Sequence, residues 1–342
     1  MHIGGKSDTC PQLKVHGTMM EVVKEDMYLG DLISCDGKNK KNIEKKISKG
    51  LGIITQILNL LEIVSFGSYY IEIALLLREA MFLNGILFNS EVWYGMTSSE
   101  MNKFEKLDRL LLRKILGAPF YTPQEAFYLE LGIVPINIVI KSRRIQYLQN
   151  LTKRNNEEMI YQFFKVQWNN PTRGDWTETV RENLKEFEIE ENEEVFRSMT
   201  KEMFKNKVKK KARQVAFNQL IKRKDKHSKM ENLEYSGLKI QTYFQLEGIT
   251  TGQIRNIFIY RTRMAPYGEN FRGGRESVAC PLCKTHLDSQ ALGPMCPAIR
   301  KEISVSLNLN IVYSGDIDLE TAKLVEKVLN TRNKIIQEIN ET

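Results

Sequence analysis

Disulfide chemistry is what this sequence has least of: five cysteines in 342 residues do not make a disulfide framework, and Cys10 and Cys35 stand isolated. A core of ordinary apolar side chains must hold the fold, and a reducing, intracellular compartment is expected. Long apolar runs are missing too. No stretch reaches the roughly 18 uncharged apolar residues of a membrane span, and Met1-His-Ile-Gly-Gly-Lys6 lacks the apolar centre of a secretory signal. No membrane contact is expected. Of the four histidines, His2, His16 and His227 have no Ser, Cys or carboxylate partner at motif spacing, so a hydrolase triad has no support. Gly273-Gly274 is not followed by Lys-Ser, which removes a phosphate-cradling loop. No two aspartates are adjacent, so the paired carboxylates of two-metal nucleotidyl transfer are absent. There is no internal repeat.

What is present is helical and basic. With 42% hydrophobic and 27% charged residues the chain should fold, and its length suits two or more compact units. The net charge of +8 and pI near 9.0 point to a polyanionic partner, and the distribution sharpens this. From Lys201 to Lys229 twelve Lys or Arg face only two acids. Lys207, Lys209, Lys210, Lys211, Arg213, Lys222, Arg223 and Lys224 surround an apolar set of Phe204, Val208, Val215, Phe217 and Leu220. Clustering on one helix favours contact with phosphates over a merely solvated face. Arg143-Arg144 and Arg261-Thr-Arg263, with Tyr147 and Tyr260, are further candidates for charge and stacking surface.

Periodicity places the helices. Ile43, Ile47, Leu51, Ile54, Leu58 and Leu61 recur every three or four residues, giving an amphipathic helix with a basic N-terminal half. Tyr69 to Tyr94 is apolar nearly all round and reads as a central helix. Thr97-Ser-Ser-Glu100 is a capping box opening a helix through Leu116, and Thr122-Pro-Gln-Glu125 repeats that signal. Helices follow after Pro135 to about Arg154 and from Leu238 to about Met264, the last split at Gly248 and a third box, Thr250-Thr-Gly-Gln253. Asp316 and Asp318 precede a helix from Leu319 to Ile339, where first-turn acids stabilise its start.

Near the N-terminus, Tyr28-Leu-Gly-Asp-Leu-Ile-Ser-Cys-Asp-Gly37-Lys-Asn39 alternates apolar and polar positions, and Asp36-Gly37 is a favoured two-residue turn between antiparallel strands. This block, after Leu13-Lys-Val-His-Gly-Thr18 and before the long helix, resembles the hairpin that follows the catalytic palm in reverse transcriptases of non-LTR (LINE-like, jockey-type) retrotransposons. Leu111-Leu-Arg-Lys-Ile-Leu-Gly-Ala-Pro119 and Tyr128-Leu-Glu-Leu-Gly132 are similar to phrases of that family's helical thumb. The resemblance implies a primer-grip role for Tyr28, Leu29 and Gly30. It also implies that the catalytic carboxylates belong upstream of this chain.

Cys280-Pro-Leu-Cys283-Lys-Thr-His286, closing at Cys296-Pro297, has the donors of a Cys3His zinc site. A short loop with little apolar content gains order from such a clip. It resembles the family's knuckle of Cys-Pro-Leu-Cys, Asp-Ser-Gln, then His and Cys, but Leu292 stands near the expected His. His286, Asp288 or water are the candidates for the fourth ligand, and plain reduced thiols are the alternative to metal.

The resulting expectation is a mainly α protein: a short N-terminal β-hairpin in a palm remnant (1–39), a thumb-like helical bundle (40–168), a helical linker with the basic segment (169–275), a small Cys-rich knuckle (276–300) and a C-terminal helical segment (301–342). Its partner would be RNA or an RNA–DNA duplex, its cofactor a structural zinc, and it would not polymerise alone. Two other readings stay open: completion of an active polymerase with an upstream reverse transcriptase polypeptide, or a domesticated protein-interaction scaffold.

Overall fold

The computed structural model describes residues 14–19, 23–37, 39–64, 67–270, 279–304 and 306–341. Cys10, Leu13 and Gly273-Gly274 lie outside the described residues. The chain is mainly α, with two small antiparallel hairpins at the start: β1 (Lys14–Val15) with β2 (Thr18–Met19), and β3 (Glu25–Tyr28) with β4 (Asp31–Ser34). Tyr28 pairs with Asp31, so the turn of the second hairpin is Leu29-Gly30. Both residues have positive φ, +48° and +86°, as the twist-matched two-residue turn requires. This corrects the expected turn at Asp36-Gly37. Those residues lead out of β4, with the Gly37 N–H donating to Ser34 O at 3.0 Å, because the sequence beyond them has helical periodicity and offers no further strand.

The helices are α1 (Lys40–Glu62), α2 (Gly67–Leu77), α3 (Asn84–Ile86), α4 (Ser98–Ile115), α5 (Gln124–Leu131), α6 (Ile136–Thr152), α7 (Met159–Asn169), α8 (Trp176–Glu186) and α9 (Glu193–Ser198). They continue as α10 (Lys201–Lys224), α11 (Thr251–Arg261), α12 (Pro297–Glu302), α13 (Leu309–Ser314) and α14 (Leu319–Glu341). Among the described residues, no helix is long and apolar enough to cross a membrane.

Local capping explains several boundaries. The Glu100 N–H donates to Thr97 Oγ1 at 3.2 Å while the Thr97 N–H donates to Glu100 Oε2 at 2.8 Å, and Thr250 and Gln253 close the same reciprocal box before α11. The Asp318 carboxylate accepts the Thr321 N–H at 2.7 Å. The box expected at Thr122 does not form. Its hydroxyl donates to Pro119 O at 2.8 Å, and Glu125 is buried with His227 Nε2 at 3.3 Å from its carboxylate. The stretch Tyr69 to Tyr94 is likewise not one helix. It runs as α2, a π-helical turn at Arg78–Leu83, α3 and a 3-10 turn at Ser90–Val92, with Asn89 at φ +60° separating α3 from that last turn. Leu238 to Met264 holds one α-helix, α11, preceded by a 3-10 turn at Thr242–Gln245.

Two compact units are assembled from separated stretches. The first comprises Met1–Gln56, Arg78–Asp108 and Pro135–Ala212, so Asn169 to Gly174 lies inside it. Here α6 packs on α7, α8, α9 and the 3-10 turn at Ser90–Val92, burying Ile138, Ile145 and Leu148. Trp93 stacks on Phe104 at 5.5 Å, and the buried Arg78 guanidinium makes two bonds to Asp108, at 2.8 and 2.7 Å.

The second unit comprises Ile57–Leu77, Arg109–Val134 and Arg213–Thr342. Its centre is α11, packed on α14, α2 and α13. Glu130 and Arg261 are both fully buried there and joined at 3.0 to 3.2 Å. Tyr235 and Tyr243 donate their hydroxyls to the same carboxylate at 2.6 and 2.8 Å, while Arg261 also reaches Val312 O and Tyr313 O. Every lone pair of this buried charge is engaged, which is the condition under which such a pair is tolerated. Burial, reinforced by Glu130, pushes both phenols well above their usual pKa, so they stay donors.

Candidate metal centre and basic helix

The cysteine loop belongs to the second unit and is built by backbone bonds. Ala279 bridges Leu287 in antiparallel fashion, the Cys280 N–H donates to His286 O at 2.7 Å, and the Lys284 N–H donates to Cys280 O at 2.8 Å. Lys284 takes φ +55° to close this turn, placing the thiols of Cys280 and Cys283 on one side. The third thiol comes from Cys296, immediately before α12, whose first residue is Pro297. The approach is tight at Gly293: a Cβ there would lie 2.2 Å from the Tyr267 ring. Ile299, Ile303 and Val328 form an apolar floor beneath Cys280 and Cys296, both buried, while Cys283 is half-buried.

The Sγ atoms of Cys280, Cys283 and Cys296 lie within 4.8 Å of one another, so the three could hold a metal ion. A zinc–sulfur bond of about 2.3 Å in a tetrahedron sets sulfurs roughly 3.8 Å apart, and Cys280 Sγ stands 3.8 Å from Cys296 Sγ. The thiols differ electrostatically. Hydrogen bonding from Thr285, then from backbone N–H groups and His286, pulls Cys283 down to about 5, whereas burial pushes Cys296 up to about 11. Cys283 is therefore a ready thiolate at neutral pH, while Cys296 needs a nearby cation to lose its proton.

The fourth position is less complete. His286 Nδ1 lies 3.4 Å from Cys283 Sγ and 3.1 Å from Thr285 Oγ1, but among the described residues the mutually close donor set consists of the three thiols. Asp288 is not in that set. Its carboxylate is buried against Arg332 Nη2 at 2.8 and 2.9 Å and accepts the Gly268 N–H at 2.6 Å. Gln290 donates to Tyr260 O and to the Tyr313 hydroxyl, so Asp288-Ser-Gln290 docks the loop on α11 and α14 and supplies no ligand. Leu292 contributes only backbone bonds, its N–H donating to Ser289 Oγ at 3.2 Å and its carbonyl accepting the Met295 N–H at 2.9 Å. Sequence reasoning missed Arg332; a buried Asp demands a cation, but nothing local says which.

The basic residues of α10 separate into two kinds. In its first-unit half, Lys209 and Lys210 are exposed and have no carboxylate partner among the described residues, Lys207 is half-buried, and Lys211 is tied to Glu188 at 2.7 Å. In its second-unit half, Lys222 and Arg223 are exposed and likewise without a carboxylate among the described residues. Arg213 instead donates to Gly132 O and Leu238 O, and Lys224 is buried, donating to Leu233 O at 2.8 Å. Phe204, Val208 and Leu220 are the buried stripe that seats the helix.

The other arginine candidates are structural. Arg143 donates to Leu87 O and Asn84 Oδ1 at 2.7 and 2.9 Å. Arg144 is buried, and burial lowers its pKa to about 10. Arg261 is sealed against Glu130, Arg263 sits 3.6 Å from Glu269, and the fully buried Tyr260 donates to Gln290 O at 3.1 Å. Tyr28 and Leu29 are 64% and 70% exposed at the tip of the second hairpin, and Gly30 lies beside Phe88.

No family model, curated protein or solved structure matches the chain.

Proposed function

We propose that this chain binds nucleic acid, RNA or an RNA–DNA duplex, without catalysing its synthesis, and that Cys280, Cys283 and Cys296 hold a structural zinc with His286 as fourth ligand. The observation that carries the first part is the pair Lys209 and Lys210, exposed and free of carboxylate partners among the described residues, on a helix whose other exposed cations include Lys222 and Arg223. A helix that only needed a solvated face gains nothing from unneutralised like charges in succession; a polyphosphate neutralises them. In its specific form, drawn from the resemblance, the chain is the thumb-and-knuckle portion of a LINE-like reverse transcriptase whose palm lies upstream or on another polypeptide. Tyr28, Leu29 and Gly30 would then face the primer end.

The test of binding is salt dependence. Lys209→Ala with Lys210→Ala removes two phosphate contacts, and each accounts for about 0.7 to 0.9 in the slope of log affinity against log salt. The slope should flatten by roughly 1.4 to 1.8, equally across unrelated sequences. An unchanged slope would leave the scaffold reading standing. For the metal, elemental analysis of chelator-free protein should give one zinc per chain, lost in Cys280→Ser and weakened in His286→Ala.

A further inference from the structure

The first unit carries a cleft of about 580 Å³ with five aromatic side chains in its walls, Tyr94, Tyr147, Phe163, Phe164 and Trp176. Phe163 on α7 is 69% exposed and Tyr94 is 46% exposed, an unusual amount of ring surface to leave in water. Helix α7 explains the asymmetry: it buries Tyr161 and Phe164 and turns Met159, Phe163 and Val166 outward at helical spacing. Behind them the wall is fixed. Tyr147 meets Trp176 edge to face at 5.9 Å, and the Trp176 indole N–H donates to Glu91 O at 2.7 Å. Arg173 adds a cation to the lining and Asp175, the N-cap of α8, a carboxylate that accepts from Thr172 and the Glu178 N–H.

Tyr147 also lines a second recess of about 450 Å³, which holds Lys153, Arg154 and Lys201 against one carboxylate, Glu158. Arg154 and Glu158 lie 3.5 Å apart, leaving the recess with an excess of positive charge. Aromatic faces beside clustered cations, sharing one tyrosine, match a ligand that is flat and apolar at one end and anionic at the other.

We propose that this cleft and recess form a stacking site for single-stranded nucleic acid, an unpaired base lying against Phe163 and Tyr94 and its phosphates meeting Lys153, Arg154 and Lys201. Base-on-aromatic stacking tolerates any sequence, since every base has a π face. A duplex keeps its base faces inside the helix and cannot fill the cleft. An apolar peptide would fill it but leave the cations of the recess unneutralised. The inference takes the partner's class from the reading of α10 but uses different residues, so each can fail alone.

The experiment measures fluorescence anisotropy of a labelled single-stranded oligonucleotide about 12 nucleotides long, and of its duplex, with the full chain. Phe163→Ala combined with Tyr94→Ala should weaken single-strand binding about tenfold or more and change duplex binding by less than about twofold; Phe163→Trp should retain binding. Phe163 is so exposed that an unchanged unfolding midpoint is expected for its variants, which separates lost stacking from lost fold. Equal losses for strand and duplex, or none, overturn the inference. So does a self-associating wild type that Phe163→Ala turns monomeric with no change in oligonucleotide affinity. If Lys209→Ala with Lys210→Ala has no effect while the Phe163 effect persists, the α10 reading fails and the cleft stands; the reverse result removes the cleft alone. A wild type that binds neither form removes both.

Discussion

The β3–β4 hairpin and the cysteine loop are built alike and settled differently. Each is a short turn with a bulky residue forced to positive φ at its apex, Leu29 at +48° and Lys284 at +55°. The hairpin gives its apex to solvent, with Met27, Tyr28 and Leu29 all exposed. The cysteine loop leaves its apex, Lys284, exposed too but turns its flanks inward: Cys280 and Cys296 are 2% and 1% exposed, and Asp288 beyond them is clamped by Arg332. A loop with few apolar side chains can enter a core only if something polar holds it there, and here a buried ion pair and a thiol cluster take that role. The hairpin has its own ion pair on β4, where Asp31 sits 2.8 Å from the buried Lys46 ammonium and accepts from Asn42 and Asn89, so its base is held and only its tip, Tyr28 and Leu29, is left to solvent.

The largest expected effect that would break this contrast is at the ion pair. Asp288→Ala strands a buried guanidinium and should cost about 3 to 5 kcal/mol, read from the denaturant midpoint, whereas Asp288→Asn combined with Arg332→Met, which removes both charges and keeps much of the volume, should cost less. A loss below about 1 kcal/mol for Asp288→Ala would mean that the loop is held some other way.

Metal removal comes next. With free zinc at a hundred times its Kd, chelation should lower stability by about 2.7 kcal/mol, and Cys280→Ser should show no further chelator response. Differential scanning calorimetry with and without chelator checks this, and an identical response in the two proteins is the outcome expected if no metal is held.

Smaller effects sharpen the likeness of the two apices. Leu29→Gly and Lys284→Gly each relieve a left-handed residue worth about 1 to 2 kcal/mol and return roughly half of it as unfolded-state entropy, so each should stabilise by about 0.5 to 1 kcal/mol. Destabilisation by either would show that its side chain makes contacts worth more than the strain. Smallest of all, Tyr28→Ala should stay within about 0.5 kcal/mol in urea unfolding. A cost above about 1 kcal/mol would show the hairpin tip covered in solution.

What could be read from the sequence was whatever depended on near neighbours. The helix α1 and the boxes at Thr97 and Thr250 are set by residues three and four apart, and they form as their spacing dictates, though the buried face of α1 takes Ile57 with Ile43, Ile54 and Leu61 and leaves Leu51 exposed. The cysteine trio was legible because a Cys-x-x-Cys turn brings two thiols together by itself. Where local rules competed, they misled: Asp36-Gly37 is the better turn pair by composition, yet Leu29-Gly30 carries the turn because pairing of β3 with β4 fixes the register. Thr122 does not cap α5, because Pro123 takes the N-cap position and Glu125, the other half of the box, is buried beside His227 Nε2. Lys224 and Arg213 looked like their neighbours in sequence and became structural because Leu233, Gly132 and Leu238 present carbonyls that only folding brings near. The pairs Glu130 with Arg261 and Asp288 with Arg332 lie beyond any local pattern for the same reason.

The alternation of six stretches between the two units has a consequence for synthesis. The first unit opens with residues up to Gln56 and lacks its last stretch until Ala212 has been made. At ribosomal speeds of roughly 5 to 20 residues per second, that wait is on the order of 10 s or more. During it the 3-10 turn at Ser90–Val92 waits for α6, and contacts so distant along the chain close slowly. No single proteolytic cut would release either unit whole.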